Sequence, residues 1–331
     1  MKHLFTLGCV VCSVFGAQAQ LTVTDSLSVG AISTLLEGIG VTVSNVAVNC
    51  AGAAMGQFNG PSELSITQGL VLTTGSADAV AGHVAGIASD YMGTPGDATL
   101  DQELLGGLTQ DACGLEFDCI PQGDTLLFNF SFGSEEYPEF VMTGFNDAFA
   151  IYITGPGFTV PTNVAAIPGG TLVSINNVND GVNSMYFHNN ESSGGQFVAY
   201  DGFTTNLNAF AVVQPGETYH FKVVVADVQD GILDSGVFLE AFSFRSPVFA
   251  NGLDEVSNGA LQLLPQGDAH VLRVPASMVK GQEVLVFDAA GSLVHRQPLT
   301  GLNTVMPTVN WGAGMYIVQV PGIAPLRFVK N

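Results

Sequence analysis

Between residues 126 and 132 apolar side chains fall on every second position: Leu126, Phe128, Phe130 and Phe132 alternate with Leu127, Asn129 and Ser131. After a gap, Phe149, Ile151 and Ile153 alternate with Ala150 and Tyr152. A period of two predicts strands. The same pattern predicts strands at 41–48, 64–74, 173–178, 219–225 and 237–244, with short helices only at 29–36 and 100–108. Clusters of Gly, Asn, Ser, Asp and Pro break the chain between them, as turns require. Many short strands with glycine-rich turns predict an all-β chain, a jelly-roll-like β-sandwich over residues 20–245. Residues 246–260 read as a linker. Beyond it, apolar runs at 284–287, 293–295, 314–318 and 326–329 surround a hairpin turn, Asp288-Ala289-Ala290-Gly291. They predict a second, small C-terminal β-sandwich over 261–331.

Residues 1–19 have the layout of a secretory signal peptide: Lys2 and His3, an apolar run over 4–15, then Ala17-Gln18-Ala19 as a cleavage site. A buried first strand is the alternative. No later run reaches the roughly 18 apolar residues of a membrane span. The expected destination is the extracellular space or the outer-membrane surface, reached through the periplasm.

The chain has 331 residues, of which 47% are hydrophobic and 40 are glycine, so it is globular and turn-rich rather than disordered. Its net charge of −21 is unevenly spread. Residues 21–249 hold 24 acids and two bases, Lys222 and Arg245, whereas residues 250–331 hold five of each. So acidic a body disfavours nucleic acid and anionic membranes and suits cations.

The densest acidic stretch is Gly133-Ser-Glu-Glu-Tyr-Pro-Glu-Phe-Val-Met-Thr-Gly-Phe-Asn-Asp-Ala-Phe149, lying between two predicted strands. Glu135, Glu136, Glu139 and Asp147 repel one another, and almost no base is near to pair with them. A hard cation such as calcium takes six to eight oxygen ligands, often carboxylates from irregular loops. These four are candidate ligands of structural calcium. Glu116 and Asp118 share one face of an extended segment, about 7 Å apart, and are candidate partners for the same loop. Asp227, Asp230 and Asp234 bracket what reads as a hairpin turn and resemble a calcium loop in composition, without the spacing of an EF-hand. The plainer alternative throughout is a solvated acidic surface. A third is a carboxylate pair at work in catalysis, with Glu135, Glu136 or Glu139 as acid and base. No HExxH or GxSxG pattern supports an enzyme. The asparagine run over 176–190 reads as turn chemistry.

Cys9 and Cys12 fall in the leader, leaving Cys50, Cys113 and Cys119. If the run between Cys113 and Cys119 is extended, their α-carbons lie about 20 Å apart, too far to bridge. Cys50 paired with one of the two is the expectation.

Several blocks resemble the choice-of-anchor L domain, in order: Gly69-Leu-Val-Leu-Thr-Thr-Gly75, Leu115-Glu-Phe-Asp118, Phe132-Gly-Ser-Glu-Glu-Tyr-Pro-Glu-Phe140, Phe145-Asn-Asp-Ala-Phe149, Gly155-Pro-Gly157, Tyr200-Asp-Gly-Phe-Thr204, Tyr219-His220 and Asp234-Ser-Gly-Val-Phe-Leu-Glu-Ala241. The resemblance covers residues 40–245. It implies a secreted or surface protein of bacteria and carries over no catalytic residue. Position 119 usually holds an aromatic in that family, so Cys119 is a departure that points to a disulfide particular to this chain.

The tail resembles the type A sorting domain of the type IX secretion system in Val286-Phe-Asp288, Gly291, Leu293-Val294, Trp311, Gly314-Met-Tyr-Ile317 and its basic end at Arg327 and Lys330. The usual Asn-Pro near its start is absent. That resemblance implies a Bacteroidota cell and the type IX machinery as partner of residues 261–331. The expected function is a non-enzymatic adhesive or ligand-binding module with structural calcium and an extracellular glycan or protein ligand. The alternatives are a secreted glycoside or peptide hydrolase and a passive coat protein.

Overall fold

The structure is a computed structural model describing residues 20–105, 107–167, 170–247, 261–266, 269–274, 282–321 and 325–330. The expected leader, and all of the expected linker after residue 247, lie outside these residues. The chain divides into two compact units, 1–249 and 250–331.

In chain order the strands of the first unit are β1 (Thr22–Asp25), β2 (Val41–Asn49), β3 (Met55–Asn59), β4 (Gln68–Thr73), β5 (Thr109–Pro121), β6 (Thr125–Ser134), β7 (Ala148–Gly155), β8 (Phe158–Asn163), β9 (Ala166–Ile167), β10 (Thr171–Ser174), β11 (Phe187–Asn189), β12 (Gly202–Thr204), β13 (Leu207–Val212), β14 (Tyr219–Val228) and β15 (Ser235–Glu240). One antiparallel sheet runs β1-β3-β4-β15-β6-β12-β11, with β13 also on β6. The other runs β2-β5-β14-β7-β10-β9, with β8 also on β7. Their middles, β4-β15-β6-β13 and β5-β14-β7-β10, interleave along the chain as the two Greek keys of a jelly roll do.

Among the connections that cross between the sheets are β4–β5, β6–β7, β10–β11 and β14–β15. The registers put all four crossings at one end: Ser134 pairs with Ser235 and Gly202, Ala148 with Ser174 and Ala226, and Val228 with Thr109. Residues 20–22 and 245–247 sit at the other end. There Thr22 pairs with Asn59, Asn59 with Gln68, and the Ser246 N–H donates to the Ile39 carbonyl.

Alternation explains the core. Phe128, Phe130 and Phe132 of β6 face Phe149 and Ile151 of β7 within one buried cluster, with the Phe130 and Phe149 rings 5.0 Å apart. Phe117 stacks on Phe221 at 5.4 Å between neighbouring strands. The opposite face of the first sheet is also covered, since Val71 and Phe238 pack with Leu64, Ile66, Val80 and Tyr200. That is why β4 begins at Gln68 rather than 64: Leu64 and Ile66 are buried by a loop folded onto the sheet.

The expected first helix is α1 (Val29–Leu36), which buries Ile32, Leu35 and Leu36 and is capped by Ser28 Oγ accepting the Ala31 N–H at 3.2 Å. The second, α2 (Ala98–Glu103), is shorter than 100–108. Asp97 caps its start, accepting the Thr99 and Leu100 N–H groups at 3.0 Å, and Leu105 turns left-handed at φ 56° beyond its end. The strand expected at 173–178 stops at Ser174, where Asn179 takes over the backbone, accepting from Gly181 and Val182 and donating to the Ile175 carbonyl. This is the turn chemistry expected of the asparagine run.

Two expectations are corrected. Asp227, Asp230 and Asp234 do not bracket a hairpin, because β14 and β15 belong to different sheets. And Cys119 forms no disulfide: Cys50 bonds to Cys113, with α-carbons 4.2 Å apart, and Cys119 is a buried free thiol pushed up to about 12 by burial. Asn49 and Gly114 are register partners, which brings Cys50 beside Cys113. The bridge closes a loop of 63 residues, worth about 4 kcal/mol through restriction of the unfolded chain.

The second unit holds β16 (Gln262–Gln266), β17 (Ala269–Arg273), β18 (Glu283–Asp288), β19 (Leu293–Pro298), β20 (Asn303–Met306), β21 (Gly314–Gln319) and β22 (Leu326–Lys330). They form sheets β16-β17-β20 and β19-β18-β21-β22 around one core that includes Leu272, Val284, Val286, Met306, Tyr316 and Val318. The expected hairpin joins β18 to β19. Asp288 Oδ1 accepts the Ala290 and Ser292 N–H groups, and Gly291 takes φ 79°.

Candidate functional site

The crossing end of the first unit is where the acids gather. Glu135 and Glu136 follow Ser134 at the end of β6, and Asp147 immediately precedes β7. Asp227 is set in place by a bulge in β14 between Val225 and Asp227, and Asp234 immediately precedes β15. All five are buried: Glu135 is 4% exposed, Glu136 3%, Asp147 1%, Asp227 1% and Asp234 0%. Carboxylates this deep are ordinarily paired. Among the described residues none of the five forms a salt bridge. Lys222 is engaged with Asp97, and Arg245 lies at the far end, opposite Leu127.

Hydrogen bonds satisfy the cluster only in part. Asp147 bridges the sheets, accepting the Val228 N–H at 2.9 Å and the Ser235 hydroxyl at 2.7 Å. Asp234 Oδ1 accepts the Asp90 N–H at 2.9 Å, and Glu135 Oε1 accepts the Ala88 N–H at 3.3 Å. Glu135 Oε2, Glu136 Oε2, Asp234 Oδ2 and both oxygens of Asp227 have no partner. Gly75 packs directly on the cluster, since a Cβ there would meet Asp234 Oδ2 at 1.8 Å.

Burial and mutual repulsion raise these carboxyls. Burial, then the nearby Asp201 carboxylate, pushes Glu135 up to about 8. Burial, then Asp147 and Asp230, pushes Glu136 up to about 8. Burial brings Asp147, Asp201 and Asp234 each to about 7. Asp227 is held well above the carboxylate range by burial and by Asp147. Unpartnered oxygens, high negative charge and no base are the donor chemistry of a hard divalent cation. The side chains do not yet enclose one: among the described residues no three ligating groups converge on a single point. A cation would have to draw the carboxylates inward against their present repulsion.

Of the nine residues expected at a metal site, Glu135, Glu136, Asp147, Asp227 and Asp234 come together here. Asp230 lies half-buried beside them, close enough to raise Glu136, and Glu139 is exposed on the rim. Glu116 and Asp118 do not join. They are level with Tyr152 and Thr154, whereas Asp147 precedes the other end of β7. Along the strand that is a separation of roughly 17–23 Å. They do share one face, as expected, but it presents them to His220, whose Nε2 is 3.2 Å from Glu116 and Nδ1 2.9 Å from Asp118. Asp201 and Asp111 belong to the acidic end and were not among the nine. Asp111 is fully satisfied, by the Thr94 N–H and hydroxyl and the Met92 N–H.

A cavity of about 340 Å³ lies elsewhere, on the second sheet, lined by Asp97, Glu116 and Lys222 among others and by none of the clustered acids. No described helix is long and apolar enough to cross a membrane.

Comparison with known proteins gives one family. Residues 23–245 match the choice-of-anchor L domain. No curated protein matches the chain. Solved structures with some similarity include Ruminococcus gnavus β-glucuronidase, at 10% identity and TM-score 0.16 over 66% of this chain and 34% of that one. The same enzyme in complex with D-glucuronic acid gives 12% identity and TM-score 0.16 over 66% and 36%. The chain thus spans about a third of the length of those enzymes, and at such scores the likeness bears on neither fold nor function. The chain belongs to the choice-of-anchor L domain family, whose members are cell-surface or secreted proteins.

Proposed function

We propose that the first unit is a non-enzymatic adhesive or ligand-binding module whose crossing end is held together by structural calcium. The observation that carries this reading is Asp227, buried between the sheets with both carboxylate oxygens unpartnered. Ligands for the ion would come from Asp227, Asp147, Glu136, Glu135 and Asp234. The ion would offset part of the cluster's charge and tie two crossings, β6–β7 and β14–β15, to one another. Exposed apolar side chains on the same connections support a contact surface there: Ile87 and Tyr91 before β5, Met142 before β7 and Ile232 before β15. Tyr91 is positioned by Gly231, where a Cβ would come within 2.8 Å of its ring. A glycan or protein is the fitting class of ligand, because free anionic polymers would be repelled. The buried acids border no part of the 340 Å³ cavity.

Thermal unfolding of the full chain tests the calcium. Millimolar calcium should raise the melting temperature of the first unit by about 5–10 °C over EDTA, as expected of an ion that binds only the folded state. Equal melting in calcium and EDTA would refute the reading.

We further propose that residues 261–331 are a type IX secretion sorting tail, which implies a Bacteroidota cell, the secretion machinery as partner and delivery through the periplasm after removal of a signal peptide. The motif residues quoted for that resemblance, together with a separate small β-unit, support it. A chain lacking 261–331 should accumulate, folded, in the periplasm. Its normal appearance outside the cell would exclude the assignment.

A further inference from the structure

The outward face of the second sheet is only partly covered. Leu100 and Leu104 pack on Ala148, Ala150, Val224 and Ala226. Beside that cover lies the cavity of about 340 Å³. Its floor is where Ala112, Gly114 and Glu116 of β5 run next to Lys222 and Val224 of β14, and its walls are the segments 49–51 and 94–97. Both walls are pinned to β5. The Cys50–Cys113 disulfide holds the first. In the second, the Thr94 and Pro95 carbonyls accept the Asp111 and Ala112 N–H groups at 3.0 and 3.2 Å, and the Asp97 N–H donates to Thr109 Oγ1 at 2.7 Å. A cavity fixed on both sides in this way is preformed, as small-molecule sites usually are.

Gly114 keeps the floor open. Glycine weakens a strand interior, and there it often marks the close approach of another backbone or of a ligand. No other backbone presses on it: a Cβ there would meet Asn49 Cβ at 3.7 Å and the Asn49 and Val223 carbonyl oxygens at 3.8 Å, all ordinary contacts. Packing within the protein therefore does not demand the glycine, and a side chain in its place would occupy the cavity. The lining has two characters. Pro95, Ala112, Gly114 and Val224 are apolar, whereas Asn49, Asp97, Glu116 and Lys222 supply acceptors and donors. Lys222 is paired with Asp97, and Glu116 accepts from Asn49 Nδ2 at 2.9 Å, with His220 Nε2 3.2 Å from its other oxygen. An ammonium has three donors and each carboxylate oxygen two lone pairs, so hydrogen-bonding capacity remains on Lys222 and Glu116. An anionic ligand would meet the acidic body, and a cationic one would have to displace Lys222 from Asp97. A neutral ring with an apolar face and a rim of hydroxyls uses both sides of the lining at once.

We infer that this cavity binds one neutral hexopyranose unit of a glycan, its C–H face on Ala112 and Gly114 and its hydroxyls on Glu116, Lys222 and Asn49. This rests on the ligand-binding reading above, adds a site away from the crossing end, and needs no calcium.

Two-dimensional NMR titration of the full chain with the methyl pyranosides of glucose, galactose and mannose tests this, in EDTA and again in millimolar calcium. At least one should shift the Gly96 and Gly114 amides saturably, with a dissociation constant of about 1–10 mM, equally in both media. Gly114→Val should abolish that binding while melting no lower than the unaltered protein, because a β-branched residue suits a strand. Glu116→Gln should weaken binding about tenfold. The assignment is overturned by the absence of a saturable shift with all three sugars, or by binding that is undiminished in either variant. Binding seen only in calcium overturns it as well, and moves the sugar to the crossing end. Gly114→Val should leave the calcium-induced rise in melting temperature unchanged, so failure of the cavity site leaves the calcium reading to its own test.

Discussion

Asp227→Asn is expected to melt about 5–10 °C higher than the unaltered protein in EDTA at pH 8, and to lose at least half of the stabilisation that calcium confers. The substitution preserves shape and removes a carboxylate that has no hydrogen bond on either oxygen and Asp147 as its charged neighbour. Burying an uncompensated charge is destabilising, and replacing it by a neutral group relieves that cost. An amide can also donate toward Asp147 at any pH, whereas Asp227 can do so only after taking up a proton. In calcium the gap between the two proteins should narrow, because the same substitution deletes a charged ligand. Melting curves of both proteins in EDTA and in calcium decide the matter. A variant that melts lower than the unaltered protein in both media would show that Asp227 is not in electrostatic conflict with its neighbours.

The second large effect is on pH. In EDTA the first unit should be most stable near pH 4–5 and lose stability steadily toward pH 8. The sign follows from the raised carboxyls. Glu135 and Glu136 titrate at about 8 in the folded chain, and Asp147, Asp201 and Asp234 at about 7, against ordinary values of 4.5 and 3.8. Across that interval the folded protein holds more protons than the unfolded chain, so stability falls as pH rises. It is fully present below the unfolded values and is lost as pH passes through 7 to 8. The melting temperature should fall by about 10 °C or more over this range. Calcium should reverse the trend, because protons and the cation compete for the same oxygens. Its stabilising effect should nearly vanish at pH 4.5 and be greatest at pH 8. A metal-free protein that gains stability between pH 5 and pH 8 would contradict the buried, unpaired state of these acids.

Sequence made some of this legible and hid the rest for physical reasons. Strands β6, β7 and β14 were readable because the core contacts of Phe128, Phe149 and Phe221 impose a period of two that any neighbour would preserve. α1 was readable from its apolar face. Which sheet a strand joins was not. Residues 227–234 look locally like a hairpin, yet β14 pairs with β5 and β7 while β15 pairs with β4 and β6, partners far away in the chain. The density of acids at 133–149 announced the site. Asp201 was invisible as a member because a single acid in a turn is ordinary, and only the pairing of Gly202 with Ser134 brings it to Glu135. Glu116 and Asp118 were read correctly as sharing a face, but alternation along one strand is silent about what lies opposite, which proved to be His220.

Both the entry of the chain into the first unit, at residues 20–22, and its exit, at 245–247, lie at the end away from the four crossings. Strands β6 and β14, of 10 residues each, run between them, so the two ends stand about 30 Å apart. The domain therefore has one pole that carries both of its chain ends and one that carries these four crossings. Residue 20 and residue 247 lie at the same pole. The acidic crossings and their exposed apolar tips lie at the opposite pole, at a distance from both chain ends set by strand length.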